Sequence, residues 1–321
     1  MKTPDFWFES GSLAATLLTP VSALFDAAGR FARAAAQTQK THATIICVGN
    51  LVAGGAGKTP TAIALSRLLH DREHAFLTRG YGGREPGPLL VDPDLHTAHN
   101  VGDEALLLAQ AAPTYVARHR PAGAKVIAAS GADIVIMDDG FQNPSLVKDI
   151  SFLVVDGMTG FGNGRVIPAG PLRETVPNGL QRADAIVLIG EDRFDIRGRI
   201  GGQLPVFEAR LIPTAEADKL AGRRVLAFAG IGRPQKFFDT LTGMGCEIAA
   251  QYPFQDHHPY RAKQIKKLLE AAATLDATPV TTEKDHLRLP DEFRPLVKTL
   301  PVELHWNDPS AIAAFLAAAL A

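Results

Sequence analysis

Cysteine is scarce in this sequence and net charge is almost absent. Only two cysteines, Cys47 and Cys246, occur among 321 residues, and their separation matches no metal-ligand spacing. We expect both to be reduced and structural, as in a cytosolic protein. The formal net charge is −1, so no global field draws the chain to nucleic acid or anionic lipid. We therefore expect no nucleic-acid partner, although local basic patches stay open.

The N-terminus lacks the features of a membrane span and of a signal peptide. Its uncharged run, 10–25, is shorter than the ~20 apolar residues that a spanning helix needs, and Asp5 and Glu9 are unlike a basic leader. What it contains is an amphipathic stripe with apolar residues every three or four positions: Leu13, Leu17, Val21, Leu24, Ala28 and Phe31. Pro20 interrupts the stripe, which predicts two helices or a kink.

Two interpretations of this segment are open. In the first, the helix packs on the protein's own core, as most amphipathic helices do, and the residues alone favour this. In the second, the helix lies in a membrane interface. The aromatic side chains would then sit at the headgroups and two arginines would meet lipid phosphates; these residues are Phe6, Trp7, Phe8, Arg30 and Arg33.

Strand and helix patterns alternate along the rest of the chain. Apolar runs predict strands at 43–48, 75–79, 133–137, 151–155, 184–189, 224–229, 246–252, 278–282 and 299–305. Periodic segments predict helices at 60–70, 103–111, 121–130, 234–243 and 260–273. This alternation is typical of an α/β protein with a mostly parallel sheet covered on both faces. The pattern is lost at 190–222, where we place the boundary between two domains.

The stretch VGNLVAGGAGKTP, at 48–60, has the form of a phosphate-binding loop. It follows a predicted strand and precedes a predicted helix, which is the context that a P-loop requires. Val52 replaces the first glycine of the usual G-x-x-x-x-G-K-[ST] pattern, but it removes no group that contacts phosphate. We predict a nucleotide site made by Gly54, Gly55, Ala56, Gly57, Lys58 and Thr59.

An acidic pair follows one of the predicted strands. The apolar strand 133–137 runs directly into Asp138 and Asp139, so these carboxylates are expected at the C-terminal edge of the sheet, beside the P-loop. A strand followed by an Asp-Gly turn is also common in proteins without a metal. Because a P-loop lies upstream, a Mg²⁺ site is favoured, with the hydroxyl of Thr59 as a further ligand.

Three more stretches are unusual, but the residues alone do not decide what they do. LTRGYGG, at 77–83, places Arg79 and Tyr81 on a loop, and VGDEALLLA, at 101–109, begins a helix with two carboxylates. GFGNGRVIPAGPLRE, at 160–174, is a long Gly/Pro loop. Acidic first turns often serve only the helix dipole, and a Gly/Pro loop is often just a connection.

Further motifs are MDDGFQN, QDHHPY and TTEKD. Taken in their order along the chain, all these motifs resemble those of the tetraacyldisaccharide 4′-kinases, the lipid A 4′-kinases of Gram-negative bacteria. The resemblance implies transfer of the γ-phosphoryl of ATP, with Mg²⁺, to the 4′-hydroxyl of a tetraacyldisaccharide 1-phosphate. The product is lipid IV-A, in lipopolysaccharide biosynthesis. The resemblance also implies a peripheral enzyme at the cytoplasmic face of the inner membrane, in contact with the anionic surface of that membrane. We expect the enzyme to be a monomer.

The expected fold is a P-loop NTPase-like α/β/α sandwich with a second, smaller α/β/α domain. We predict a membrane-interface helical segment at 1–36, a P-loop kinase domain at 37–205, and a C-terminal domain at 206–321 that closes over the nucleotide.

The resemblance also implies residue roles. Asp103 matches the proposed catalytic base, His257 the histidine that assists it, and Lys58 the P-loop lysine. The implied metal-site residues are Thr59, Glu104, Asp138 and Asp139. The implied substrate-binding residues are Arg79, Tyr81, Gln142, Arg165 and Arg173. The sequence departs from the family at Asn143, where many members have His, so a role for a histidine there is in doubt.

Other classes of function stay open. One alternative is a membrane-associated P-loop ATPase or GTPase switch, for which the segment 282–285 (TEKD) weakly resembles a guanine-binding motif. Another is a nucleotide-binding module without turnover. A kinase is distinguished from both because it consumes ATP mainly when its acceptor is present.

Overall fold

The computed structural model describes residues 4–9 and 11–321, and two sheets organise this part of the chain. The strands are β1 (Thr44–Gly49), β2 (His74–Thr78), β3 (Leu89–Leu90), β4 (Thr114–Val116), β5 (Ile134–Asp138), β6 (Ile150–Asp156), β7 (Ala185–Ile189), β8 (Val206–Pro213), β9 (Arg224–Ala229), β10 (Glu247–Pro253), β11 (Thr278–Thr282), β12 (Lys298–Leu300) and β13 (Val302–Trp306). Each of the nine predicted strand segments overlaps one or two of them.

The helices are α1 (Leu13–Ala34), α2 (Lys58–Leu68), α3 (Ala98–Val101), α4 (Asp103–Ala109), α5 (Arg120–Ala129), α6 (Val176–Leu180), α7 (Ile196–Ile200), α8 (Pro234–Gly243), α9 (Ala262–Thr274), α10 (Glu283–Leu287) and α11 (Pro309–Ala319). The described residues also form short 3₁₀ helices at Asp5–Trp7, Ala215–Leu220 and Asp291–Leu296.

The larger sheet has the strand order β13-β8-β7-β6-β1-β5-β2-β4-β3. Its inner strands are parallel, and β13 and β3 pair antiparallel at the two edges. Successive residues of β1 belong to opposite faces, so Ile45 and Cys47 lie in one hydrophobic core and Ile46 and Val48 in the other. The predicted α/β architecture, with a mostly parallel sheet covered on both faces, is confirmed.

The smaller sheet has the order β10-β9-β11-β12 and all its pairs are parallel. Alternate residues of β9 again separate two cores, with Val225 facing α8 and Leu226 facing α9. A second, smaller α/β/α unit is therefore present, as predicted.

The pairing of the strands does not follow the domain boundary predicted at 205/206. β8 pairs with β7, and β13 pairs with β8, so 206–213 and 302–306 extend the larger sheet. α11 packs on that sheet through Ile312 and Leu316. The smaller sheet thus spans only β9 to β12, and the chain returns to the larger unit afterwards. Sequence periodicity could not show this, because pairing across so long a separation leaves no local signal.

The N-terminal stripe forms one helix, so of the two predicted outcomes, two helices or a kink, the first is wrong. α1 runs through Pro20, and contacts with the 160–174 loop hold the helix on either side of this residue. Arg165 Nη1 donates to the Ala15 carbonyl at 3.3 Å, and Ser22 Oγ donates to the Val166 carbonyl at 2.7 Å. Ser22 Oγ also accepts from the backbone N–H of Ala169 at 3.0 Å. The loop therefore holds one narrow face of α1.

The apolar face of α1 points away from this loop. Leu13, Leu17, Leu24 and Phe31 are each more than two-thirds exposed, between 72% and 81%. The interpretation of α1 as a core helix is therefore wrong for its apolar stripe. No helix among the described residues combines the length and apolar character needed to cross a bilayer.

Candidate active site

The P-loop is built from backbone geometry that favours glycine. Gly54 and Gly57 have φ angles of +113° and +90°, in the region that side chains rarely adopt. A Cβ on Gly57 would lie 2.5 Å from Cδ1 of Ile189, so the close approach of the loop to β7 also needs a glycine. Lys58 and Thr59, both buried, follow at once as the first residues of α2.

The acidic pair meets the P-loop where β5 ends. Thr59 Oγ1 donates to Asp138 Oδ2 at 2.9 Å, and Lys58 Nζ lies 3.7 Å from Asp139 Oδ1. Arg173 Nη1 donates to the same oxygen of Asp139 at 3.0 Å. The structure therefore brings together residues of separate motifs, such as Thr59 and Asp138, which lie 79 positions apart in the chain.

Asp138 is a buried carboxylate at the end of β5. Burial raises its pKa to about 7, the nearby charge of Glu104 adds to this, and Lys58 opposes it. Its Oδ1 is buried without a hydrogen-bond partner in residues 4–9 and 11–321. A divalent ion bound to Oδ1 would satisfy this atom and relieve the cost of burying the charge.

This donor set fits Mg²⁺. The part of the chain that the structure describes has no group of three or more His, Cys, Asp or Glu side chains that could hold a metal by themselves. Mg²⁺ does not need such a group, because it is usually bound by one or two carboxylates together with substrate phosphates and water. Asp138, with Thr59 and Glu104 nearby, would supply the protein's share of such a site.

Asp139 is held in its charged form. Burial opposes that charge, but Lys58 and then Arg173 outweigh it and lower the pKa of Asp139. Its φ angle is +52°, a strained value for a residue with a Cβ. The turn after β5 thereby places this carboxylate between the two cations.

Asp103 and His257 form a hydrogen-bonded pair across the cleft. His257 Nδ1 lies 3.2 Å from Asp103 Oδ2, and Arg288 Nε lies 3.1 Å from the same oxygen. Burial opposes the charge on Asp103, but the His257 hydrogen bond, then Lys284 and Arg288, lower its pKa to about 2. The hydrogen bond with Asp103 raises the pKa of His257, which burial partly opposes. The neighbouring His258 faces Gln264 instead.

Glu104, the next residue of α4, is also paired across the cleft. Lys284 Nζ lies 2.8 Å from its Oε1. The first turn of α4 therefore carries two carboxylates that face cations of the smaller unit. Helix capping alone would not require such partners.

The predicted substrate-binding residues divide into two groups. Tyr81 stacks its ring edge-on against His257 with centroids 4.9 Å apart. Gln142 accepts from Arg173 at 3.2 Å and donates to the Asn50 carbonyl at 2.9 Å, which places both beside the acidic pair. Arg165 is instead engaged with α1. Arg79 is exposed after β2 and does not line the cleft formed by the described residues.

Asn143 has a structural role in the turn that follows this pair. Its Oδ1 accepts from the backbone N–H of Ser145 at 3.0 Å and from the Ser145 hydroxyl at 2.7 Å. Lys148 Nζ donates to its carbonyl at 2.6 Å. These contacts fix the turn without an imidazole.

The P-loop and charged groups of both units line one cleft of about 730 Å³. Its walls include the P-loop, Tyr81, Glu104, Asp139, Arg173, Asp156, Arg233, Lys236, His257 and Lys284. A volume of this size suits a nucleotide-sized ligand.

Several charged residues of this site were missed from the sequence. Lys284 and Arg288 approach the α4 carboxylates, while Arg233 and Lys236 approach Asp156, at the end of β6. Asp156 ends an apolar strand just as Asp138 does, and that shared pattern could have identified it. Among the cations, Lys284 lies in the TTEKD stretch, whereas Arg233, Lys236 and Arg288 follow no comparable pattern.

Comparisons with known proteins agree along almost the whole chain. The family model described as tetraacyldisaccharide-1-P 4′-kinase matches residues 14–321. A tetraacyldisaccharide 4′-kinase of Rhodospirillum centenum is 54% identical over 99% of this chain and 96% of its own length. The Rhodospirillum rubrum enzyme of that name is 49% identical over 98% and 97%.

A solved structure shows the same fold. The crystal structure described as the "apo" form of LpxK from Aquifex aeolicus in complex with ATP has a TM-score of 0.77 and 24% identity. It covers 96% of this chain and 100% of that one. Together with the family match and the identities near one half, these findings show that the chain belongs to the tetraacyldisaccharide 4′-kinase family.

Proposed function

We propose that this protein transfers the γ-phosphoryl group of ATP to the 4′-hydroxyl of a tetraacyldisaccharide 1-phosphate, forming lipid IV-A. The observation that carries the proposal is that the P-loop and His257, which is hydrogen-bonded to the buried Asp103, line one cleft in a chain of this kinase family. Phosphoryl transfer needs little covalent chemistry from a protein, so positioning and charge stabilisation are what the residues must supply.

The P-loop holds the nucleotide. Backbone N–H groups of Gly54, Gly55, Ala56 and Gly57 face the phosphates, and the N-terminus of α2 adds a partial positive charge. Lys58 approaches the β- and γ-phosphates and stabilises charge on the transferring group. Asp138, Thr59 and Glu104 would hold Mg²⁺, which would supply neutralisation of the phosphate charge. Asp139 keeps Lys58 and Arg173 in place.

Asp103 receives the proton of the acceptor hydroxyl. Its low pKa keeps it ionised, so it accepts a hydrogen bond from the hydroxyl and orients the oxygen for attack. Proton transfer can be late in a loose transition state, so a weakly basic carboxylate suffices. His257 fixes the carboxylate through Nδ1 and stabilises the charge that the pair carries.

We assign the acceptor side of the cleft to Tyr81 and Arg173, which line it, with Gln142 hydrogen-bonded to Arg173. Arg173 has donors beyond those engaged by Asp139 and Gln142, and a lipid phosphate is a suitable acceptor for them. Arg79 and Arg165 stay predictions for this role, since one is exposed outside the cleft and the other contacts α1. Closure of the smaller unit would exclude water from the nucleotide.

The exposed stripe of α1 is proposed to lie in the anionic cytoplasmic surface of the inner membrane, with the protein acting there as a peripheral monomer. Its substrate carries four acyl chains, and each CH₂ taken into water costs about 0.8 kcal/mol. Arg30 is exposed and can meet headgroups, although Asp26 lies 3.3 Å away. Arg33 has a different partner, since it lies 3.4 Å from the buried Glu174.

The test is acceptor dependence. ATP consumption should be slow in detergent micelles alone and rise when the tetraacyldisaccharide 1-phosphate is added. Equal consumption with and without the lipid would favour the membrane-associated ATPase or GTPase switch, and tight nucleotide binding without turnover would favour a binding module.

A further inference from the structure

A second basic site faces the phosphate loop from the smaller unit. Arg233 directly precedes α8, Lys236 lies in its first turn, and both line the cleft with the P-loop. The segment that carries Arg233 touches the P-loop, since a Cβ on Gly232 would lie 3.0 Å from the backbone nitrogen of Gly55. The two cations therefore stand beside the N–H groups proposed to hold phosphate.

Asp156 is the acidic side chain that both cations approach. Arg233 Nη2 pairs with its Oδ2, and Lys236 Nζ lies 3.5 Å from the same oxygen. Its Oδ1 accepts a hydrogen bond from the backbone N–H of Met158 at 3.0 Å. Two positive charges thus share one carboxylate oxygen, which leaves an excess positive charge at the cleft wall.

The excess charge faces the cleft. The side chain of Asp156 is 5% exposed, whereas those of Arg233 and Lys236 are 30% and 42% exposed. Burial lowers the pKa of Lys236 to about 8, and the neighbouring Arg233 contributes. An anion with several oxygens in the cleft would stabilise both charges better than one shared oxygen does.

We propose that Arg233 and Lys236 transfer from Asp156 to the terminal phosphates of the nucleoside triphosphate, so that the smaller unit supplies a phosphate-binding arm opposite Lys58. This inference rests on the proposed function, because it assumes that the nucleotide binds in this cleft. Asp156 is then a counter-ion that holds the arm in position in the nucleotide-free protein. The arm would favour a triphosphate over a monophosphate, since only the longer chain of phosphates reaches it.

The experiment measures binding of ATP, ADP and AMP by calorimetry to the full chain. The double variant Arg233→Gln/Lys236→Gln should bind ATP about tenfold more weakly or worse, because two charge-assisted contacts are lost. Its affinity for AMP should change less than about twofold, within the scatter expected for a surface substitution. The matched control is Lys266→Gln/Lys267→Gln, which removes two exposed lysines of α9 and should leave all three affinities unchanged.

Asp156→Asn separates ligand binding from a purely structural link between the two sheets. The asparagine side chain still accepts a hydrogen bond from the backbone N–H of Met158. Because it is uncharged, it no longer competes with the phosphates for Arg233 and Lys236, so ATP binding should be unchanged or tighter. If the cations served only to join the two units, Asp156→Asn would weaken ATP binding as much as the double variant does. That result would overturn the inference.

The failure of this inference can be told apart from failure of the proposed function. If the double variant binds ATP as the unaltered protein does, while Lys58→Ala has lost binding, the inference alone is overturned. If the unaltered protein binds no ATP, both are overturned. Should the double variant fail to fold, Lys236→Gln alone gives the same comparison, because that side chain is substantially exposed.

Discussion

Nδ1 of His257 lies 3.2 Å from Oδ2 of Asp103, although 154 positions separate the two residues in the chain. Arg288 approaches the same oxygen at 3.1 Å. Two residues of the smaller unit therefore fix a carboxylate that belongs to the larger one. The position of the proposed base depends on how the two sheets pack, so changes at either side of the cleft should affect turnover.

Asp103→Asn should lower kcat by at least about 10²-fold, because the amide keeps the shape of the carboxylate but cannot accept a proton. KM for ATP should change little, since Asp103 acts on the acceptor. Steady-state kinetics with saturating lipid measures both. A variant with normal kcat would show that another group receives the proton.

His257→Ala should reduce kcat less than Asp103→Asn does. The double variant should lose less than the product of the two effects, because the residues act as a unit. The same kinetic assay on four proteins completes the cycle. Strict multiplicativity would mean that the two side chains have independent roles.

The contribution of His257 to stability should depend on pH in a defined direction. Its pKa in the folded protein is raised above the ordinary 6.5, so the protonated ring is stabilised by Asp103. That contribution is complete below about pH 6.5 and is lost as the pH rises through the raised pKa. The difference in unfolding free energy between the unaltered protein and His257→Gln should therefore shrink from pH 6 to pH 9. A difference that grows over this range would contradict the assigned pair.

Lys58→Ala should lower kcat by at least about 10²-fold, comparable to loss of a transition-state donor. The change leaves the P-loop backbone in place, so circular dichroism should be unaltered. Lys40→Ala, an exposed lysine before β1, is the matched control and should keep full turnover. Near-normal activity of a folded Lys58→Ala protein would remove the P-loop from the mechanism.

Replacing Leu17, Val21 and Leu24 by serine should weaken sedimentation with anionic vesicles and raise KM for micellar lipid. Since these side chains are half exposed or more, the melting temperature and ATP affinity should stay nearly constant. The matched control replaces three exposed apolar residues elsewhere by serine: Leu95, Val126 and Leu296. Equal loss of vesicle binding in both triple variants would show that α1 has no special role.

Local sequence patterns predicted the elements that carry the phosphate chemistry. The strand before Gly54, the helix that begins at Lys58 and the strand that ends at Asp138 all depend on contiguous apolar runs and glycines. The close contact of Thr59 with Asp138 then follows from a parallel sheet, in which the C-terminal ends of strands share one edge.

Contacts between distant segments could not be predicted in the same way. β13 joins the larger sheet after the chain has completed the smaller one, and pairing partners of this kind carry no local periodicity. Arg288 approaches Asp103 only because α10 packs beside α4. The path of α1 through Pro20 likewise depends on Arg165 and Ser22, which hold it to a remote loop.

Transfer of label from γ-labelled ATP to the lipid is the most direct test of the central claim. The protein should be incubated with tetraacyldisaccharide 1-phosphate in mixed micelles, and the lipid product should be analysed by chromatography and phosphorus NMR. We predict that the label appears in the lipid as a new phosphate monoester at the 4′ position, and that Lys58→Ala and Asp103→Asn abolish it. Release of all the label as inorganic phosphate, at a rate that the lipid does not change, would contradict the account.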